Sequence, residues 1–145
     1  MIRELGNGIE LDDDKRRLDV DAIHAYISEE SYWGRGRTRE RVLATIEGSA
    51  RVIGLYDHDA QVGFARAITD SATMAYLADV YVLETHRGRG LGLALVREMI
   101  EGEDAPAVHW LLHTADAEAL YAKLGFSRGP LRYPLMERAR RADTT

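Results

Sequence analysis

The segment Arg87-Gly88-Arg89-Gly90-Leu91-Gly92 alternates glycine with arginine and leucine directly ahead of an apolar helical stripe. Glycine lets a backbone approach a ligand closely, and the first amides of a helix have no intrahelical acceptors. With the helix dipole these amides form a receptor for phosphate, and Arg87 and Arg89 add positive charge at the same place. A plain tight turn is the simpler reading of the glycines, and the residues alone leave it open. A Walker-type loop needs a Gly-Lys-Ser/Thr ending, which the chain lacks. The dinucleotide pattern G-x-G-x-x-G misses its last spacing, because Leu93 follows Gly92. The next strand ends at His113-Thr114, without the acidic residue that would bind a ribose.

Other side chains invite a chemical reading. Asp79 stands inside the apolar run Leu77 to Val82, where a carboxylate is costly to bury without a purpose or a partner. It suits a general base, and it equally suits a structural carboxylate paired with arginine or backbone amides. Strand alternation would put Asp79 on one face with Leu77 and Tyr81, opposite Ala78 and Val80. The loop Ser31-Tyr32-Trp33-Gly34-Arg35-Gly36-Arg37 offers Tyr32, Trp33 and Arg37 for stacking on a substrate or clamping its carboxylate. A packed loop anchor is the competing reading there. Glu29, Glu30 and Glu84 read as solvated residues. His109 and His113 have a spacing that would converge on a helix, but on a strand it separates them by about 13 Å. No metal site is therefore expected. With no cysteine, thiol nucleophiles, thiolate sites and disulfides are excluded.

Helices and strands must hold these groups. Apolar residues at Val20, Ile23 and Ile27 predict a helix over Val20 to Glu29 with Asp19 as its cap. A second helix begins at the cap Thr38 and buries Val42, Leu43 and Ile46. Arg51 to Tyr56 and Gln61 to Ile68 read as a hairpin about Asp57-His58-Asp59-Ala60, followed by a strand from Met74 to Val82. Leu91, Leu95 and Met99, with Val96 and Ile100, form a helix ending at Gly102. A strand over Ala107 to His113 and a helix from about Asp116 to Leu124 come next. Gly125 should end that helix in the left-handed conformation, with Phe126 folding back on it. A last strand is expected over Leu131 to Met136, and the termini are expected to fray. The order predicts one mixed α/β domain over residues 1–145. An antiparallel meander feeds a right-handed strand–helix–strand crossover whose two strands run parallel.

Composition bounds the class. A chain of 145 residues, 46% hydrophobic and 30% charged, is the size and make-up of one soluble domain. Its net charge of −5 disfavours nonspecific nucleic-acid binding and tilts toward a cationic partner. No stretch approaches the roughly 20 apolar residues that span a bilayer. The polar, acidic stretch from Met1 to Asp14 reads as no secretory signal, so a cytoplasmic location is expected.

Arg87, Gly90 and Gly92 match the motif R/Q-x-x-G-x-G/A, and Ala117-Glu118-Ala119-Leu120-Tyr121-Ala122-Lys123-Leu124-Gly125-Phe126 matches A-x-x-L-Y-x-K-L-G-F. Both resemble motifs of the GNAT superfamily of N-acetyltransferases, in the family's order. The Ser-Tyr-Trp loop resembles a prokaryotic subgroup of it. The resemblance implies a GNAT-like fold with a split between the two central parallel strands. It implies acetyl-CoA as co-substrate and a small-molecule or peptide amine as acceptor, with a homodimer as the common assembly. The backbone of Val80, Tyr81 and Val82 should then pair with the pantetheine arm, and the amides of Arg87, Gly88, Arg89, Gly90, Leu91 and Gly92 should hold the pyrophosphate. Tyr121 takes the place of the tyrosine that protonates the departing thiolate. A phenol with a pKa near ~10 stays protonated until a basic thiolate needs a proton. A core tyrosine is the competing reading. Thr114 stands where the family often has an asparagine that bonds the pantetheine. The alternative to an enzyme is a noncatalytic acyl-CoA-binding sensor on the same fold.

Overall fold

The computed structural model describes residues 2–140. Six strands form one sheet in the order of the sequence: β1 (Ile2–Gly6), β2 (Ile9–Asp12), β3 (Arg51–Asp57), β4 (Ala60–Thr69), β5 (Met74–Val82) and β6 (His109–Leu111). The first five run antiparallel to their neighbours, and β6 runs parallel to β5. Helices α1 (Val20–Glu29) and α2 (Arg39–Gly48) cover one face. Helices α3 (Leu91–Glu101) and α4 (Glu118–Ala122) cover the other.

The local signals that start and stop these helices are the expected ones. The Asp19 side chain accepts from the Ala22 amide at 3.0 Å, and the Thr38 hydroxyl accepts from the Arg41 amide at 3.2 Å. After α4, Gly125 adopts φ +89°. The Phe126 amide donates to the Tyr121 carbonyl and the Gly125 amide to that of Ala122, the paired bonds of a Schellman cap. The Phe126 ring lies edge-on to Tyr121 at 5.8 Å and completes the cap.

Two apolar layers hold the sheet. Leu95, Val96 and Met99 of α3 are fully buried against Leu55, Ala65, Ala67 and Leu77. Each such side chain contributes about 1.5–3 kcal/mol, so the helix that carries the glycine loop is firmly seated. On the opposite face Ile23, Ile27 and Val42 pack on Val52, Phe64 and Tyr81.

Several expectations need correction. The acidic N-terminus folds as the β1–β2 hairpin, turning at Asn7-Gly8, both with positive φ, which suits the twist of a two-residue turn. The segment expected as a last strand forms none: Leu131, Tyr133, Leu135 and Met136 are exposed, and Pro130 and Pro134 remove amides a ladder would need. Consequently β6 is an edge strand among the described residues. It is also shorter than expected, since pairing with β5 stops at Tyr76–Leu111. Beyond that pair β5 runs on to Val82 with β4 as its one neighbour, which opens the split between the parallel strands. Leu43 is half-buried rather than core.

Candidate active site

β5 does not alternate evenly. Phe64 of β4 aligns with Tyr81 and Arg66 with Ala78, so one extra residue is inserted between them. Asp79 sits in this bulge at φ +54°, a conformation rare for residues other than glycine, asparagine and aspartate. The inserted residue flips the strand. Leu77 packs with α3, whereas Tyr81 packs with α1 and α2. The expectation that Asp79 shares a face with both is therefore wrong. Asp79 and Val80 have no register partner on β4 or β6, so the strand is most open at the top of the split.

The Asp79 carboxylate is fully engaged. Arg66 Nε donates at 2.7 Å and Arg37 Nη1 at 2.8 Å to Oδ2, while Trp33 Nε1 donates at 2.8 Å to Oδ1. Burial pushes its pKa up, and the guanidiniums of Arg66 and then Arg37 outweigh that effect, holding it below the usual carboxylate value. A carboxylate so held is a weak base. Of the two readings of Asp79, structural ion pair or general base, this environment favours the ion pair.

The same bonds latch the 31–37 loop over the split. The Tyr32 hydroxyl accepts from the Ala115 amide at 2.8 Å, joining the loop to the far side of the cleft. Its ring meets Trp33 edge-on, with 5.0 Å between centroids. Thr114 is partly committed too, because its hydroxyl accepts from the Ala117 amide at 3.0 Å at the start of α4. Its O–H proton is free to point into the cleft.

At the glycine loop, Gly88 and Gly90 take φ +76° and +75°, and a Cβ on either would meet nothing within 4 Å. Glycine is required there by backbone conformation, with open space above it. Gly90 is the N-terminal cap of α3 and supplies no side-chain acceptor, which leaves the first amides of that helix to a ligand. Gly92 is constrained differently: its Cβ would come within 3.2 Å of a Leu120 side-chain carbon, which would have to shift by a few tenths of an ångström. Arg87 is tied down, with Nε donating to the Val82 carbonyl at 2.9 Å and Nη2 to the Tyr26 hydroxyl at 3.0 Å. Tyr26 in turn stacks on Tyr81 at 4.0 Å. Arg87 thus fastens the loop to β5 and α1. Arg89 is exposed, and the side chains of Leu91 and Tyr81 are buried in the core, leaving only their backbone to a ligand.

Two cavities meet at the split. One, of about 490 Å³, runs from Val80 and Val82 along Arg87, Gly88 and Gly90 to Lys123. The other, of about 550 Å³, opens on the opposite side and is lined by Tyr32, Arg37, Tyr76, His113 and Thr114. Trp33, Val80, Asp116, Ala117 and Tyr121 line both. Tyr121 is 9% exposed, and its hydroxyl makes no hydrogen bond to another described residue. Burial, with smaller contributions from Tyr32 and Asp116, pushes its pKa up to about 12.

Sequence reasoning passed over Tyr76, Asp116 and Arg66. It weighed His113 only as a metal ligand, although Tyr76 Oη and His113 Nδ1 lie 2.5 Å apart at the mouth of the second cavity. For His113 the available signal was its place just past the end of the strand that borders the split. Among the described residues no group of three or more His, Cys, Asp or Glu could hold a metal ion, and no helix is long and apolar enough to cross a membrane.

Residues 48–128 match the family model described as an acetyltransferase (GNAT) domain. A protein of Gibberella zeae named as an acetyltransferase is 33% identical over 110 residues, which are 61% of this chain and 62% of that protein. The chain thus spans about three-fifths of that curated relative. A crystal structure from Xanthomonas campestris pv. campestris, assigned to the GNAT family of acetyltransferases, is 36% identical with a TM-score of 0.85, covering 91% of this chain and 93% of that one. A structure from meticillin-resistant Staphylococcus aureus shares the fold at 21% identity, with a TM-score of 0.70 over 91% of this chain and 99% of that one.

Proposed function

Because this chain belongs to the GNAT family of acetyltransferases, we propose that it transfers an acetyl group from acetyl-CoA to a primary amine by direct attack. The observation that carries this reading is the junction of the two cavities at Val80 and Tyr121. One cavity is suited to a long phosphate-bearing donor, and the other is open to an acceptor.

The residues fit coenzyme A. The left-handed glycines 88 and 90 and the open amides of α3 suit a pyrophosphate, and the unpaired edge of β5 suits an extended amide-bearing arm. When bound, acetyl-CoA supplies an activated thioester. The chain's own task is to align the two reactants, which can lower a barrier by several kcal/mol. The backbone at Val80 faces the split and is suited to polarise the thioester carbonyl. Tyr121 Oη holds the proton that the departing thiolate requires, and its raised pKa keeps it protonated throughout the neutral range. Asp79 serves by fixing Trp33, Arg37 and Arg66. The amine proton leaves through water in the open acceptor cavity, toward His113 or Asp116, which line it.

Thiol release from acetyl-CoA with a panel of primary amines tests the reading. Amine-dependent release is expected. Tight binding of acetyl-CoA with no release for any amine would instead favour a noncatalytic sensor on this fold.

A further inference from the structure

The 31–37 loop has a cavity on each side. Trp33, Arg37 and Arg66 also line a further cavity of about 490 Å³, on the far side of that loop and against the N-terminal turns of α2. Its wall carries five guanidiniums, from Arg35, Arg37, Arg41, Arg66 and Arg140, and no carboxylate. Arg37 and Arg66 share Asp79 as their counter-charge. Arg35 contacts only the Glu29 backbone carbonyl, at 3.4 Å, and Arg41 has no ion-pair partner among the described residues.

Five guanidiniums around one hollow repel one another, and a chain of net charge −5 has acidic residues in plenty with which to relieve that repulsion. Elsewhere it does so: Arg39 pairs with Asp21, Arg17 with Glu10 and Asp12, and Arg3 with Glu98. The guanidinium fork is matched to the oxygens of phosphate and carboxylate, which it binds through paired hydrogen bonds. The Thr38 hydroxyl lies in the same wall and caps α2, adding a second donor and the positive end of that helix.

We propose that this arginine-lined hollow seats an anionic group, phosphate or carboxylate, carried by the acceptor at a distance from its amine. The inference rests on the acetyl-transfer reading and narrows its substrate class. The amine enters at the Tyr121 junction while the anion is held beyond the 31–37 loop. Trp33 lines all three cavities. The acidic net charge of the chain, which on its own tilts toward a cationic partner, is locally reversed here.

The test has a binding arm and a turnover arm. Inorganic phosphate is titrated by calorimetry into protein saturated with coenzyme A, which removes the glycine loop as a competing anion site. The same titration is run on Arg41→Glu and, as a second exposed position, Arg35→Glu. Phosphate is expected to bind the unsubstituted protein and to bind each variant about tenfold or more weakly, with acetyl-CoA affinity unchanged. In the turnover arm, 4-aminobutanol, 4-aminobutyrate and 4-aminobutyl phosphate are compared by thiol release. The anionic amines should show the lower KM, and Arg41→Glu should remove that advantage. Phosphate that fails to bind, or that binds the two variants as well as the parent, would overturn the proposal, as would equal KM for neutral and anionic amines. Failure of acetyl-CoA to bind at all would instead refute the donor reading, and the phosphate titration on the variants remains interpretable without it.

Discussion

Replacing Asp79 with asparagine separates its structural and catalytic readings. The carboxylate side chain is 3% exposed and those of Arg66 and Arg37 are 10% and 17% exposed, so the cluster is largely desolvated. Asparagine keeps the size of the side chain and tolerates φ +54°, but it leaves two guanidiniums without their shared counter-charge. Removing one partner of a buried pair costs about 3–5 kcal/mol. The amide oxygen still accepts one of the hydrogen bonds, so about 3 kcal/mol is expected. For a domain of this size that is a fall in Tm of about 6–12 °C, read by calorimetry at neutral pH. The effect has a pH signature. Because Arg66 and Arg37 hold the native carboxyl below its ordinary 3.8, its stabilisation is complete above that value and is lost as pH falls through the lowered native one. The parent and the variant should therefore converge in stability only in strong acid. The shape of the kcat/KM profile from about pH 6 to 9 should be unchanged. An unchanged Tm combined with a loss of turnover of about 10²-fold or more would refute this reasoning and restore Asp79 as the base.

Three further substitutions probe the junction and the loop. Tyr121→Phe should lower kcat about 10²-fold or more while leaving Tm nearly unchanged, because the hydroxyl has no hydrogen-bond partner among the described residues. With the phenol pushed up to about 12, the parent's pH–rate profile should show no loss of this proton below about pH 10. Gly90→Ala meets no atom within 4 Å at φ +75°, so its cost is backbone strain alone. About 1–2 kcal/mol is expected as a fall in Tm of about 2–8 °C, and a methyl standing in the open space above the loop should weaken acetyl-CoA binding, measurable by titration. Tyr26→Phe keeps the ring stack on Tyr81 but removes the 3.0 Å bond from Arg87. A loss of about 1 kcal/mol is expected, seen as a lower Tm or a few-fold weaker acetyl-CoA affinity.

What the sequence made legible was local. Helix caps at Asp19 and Thr38, the stripe of α3 and the Gly125-Phe126 stop depend on neighbours within a few residues, and each signal is carried by residue type alone. The β1–β2 hairpin was also legible in principle. Asn7-Gly8 between Leu5 and Ile9 is a strong turn signal, obscured by the run of acids at residues 12–14. The bulge at Asp79 was not legible, because an extra residue in β5 is defined only against its partner β4. That one residue decides which face Asp79 and Tyr81 occupy, and so which side chains meet the 31–37 loop. The double tie of Arg87 to Val82 and Tyr26 is equally non-local, joining residues up to 61 positions apart. The expected strand over Leu131 to Met136 does not form, and Pro130 and Pro134, which remove amides a ladder would need, are the sequence signal against it.

The central claim is that the split beside Val80 and the loop from Arg87 to Gly92 bind acetyl-CoA. Calorimetric titration of acetyl-CoA into the intact chain tests it most directly. A single site per chain that saturates below about millimolar ligand, and that weakens in Gly90→Ala, is the predicted result. No heat and no thermal shift at millimolar acetyl-CoA would contradict it.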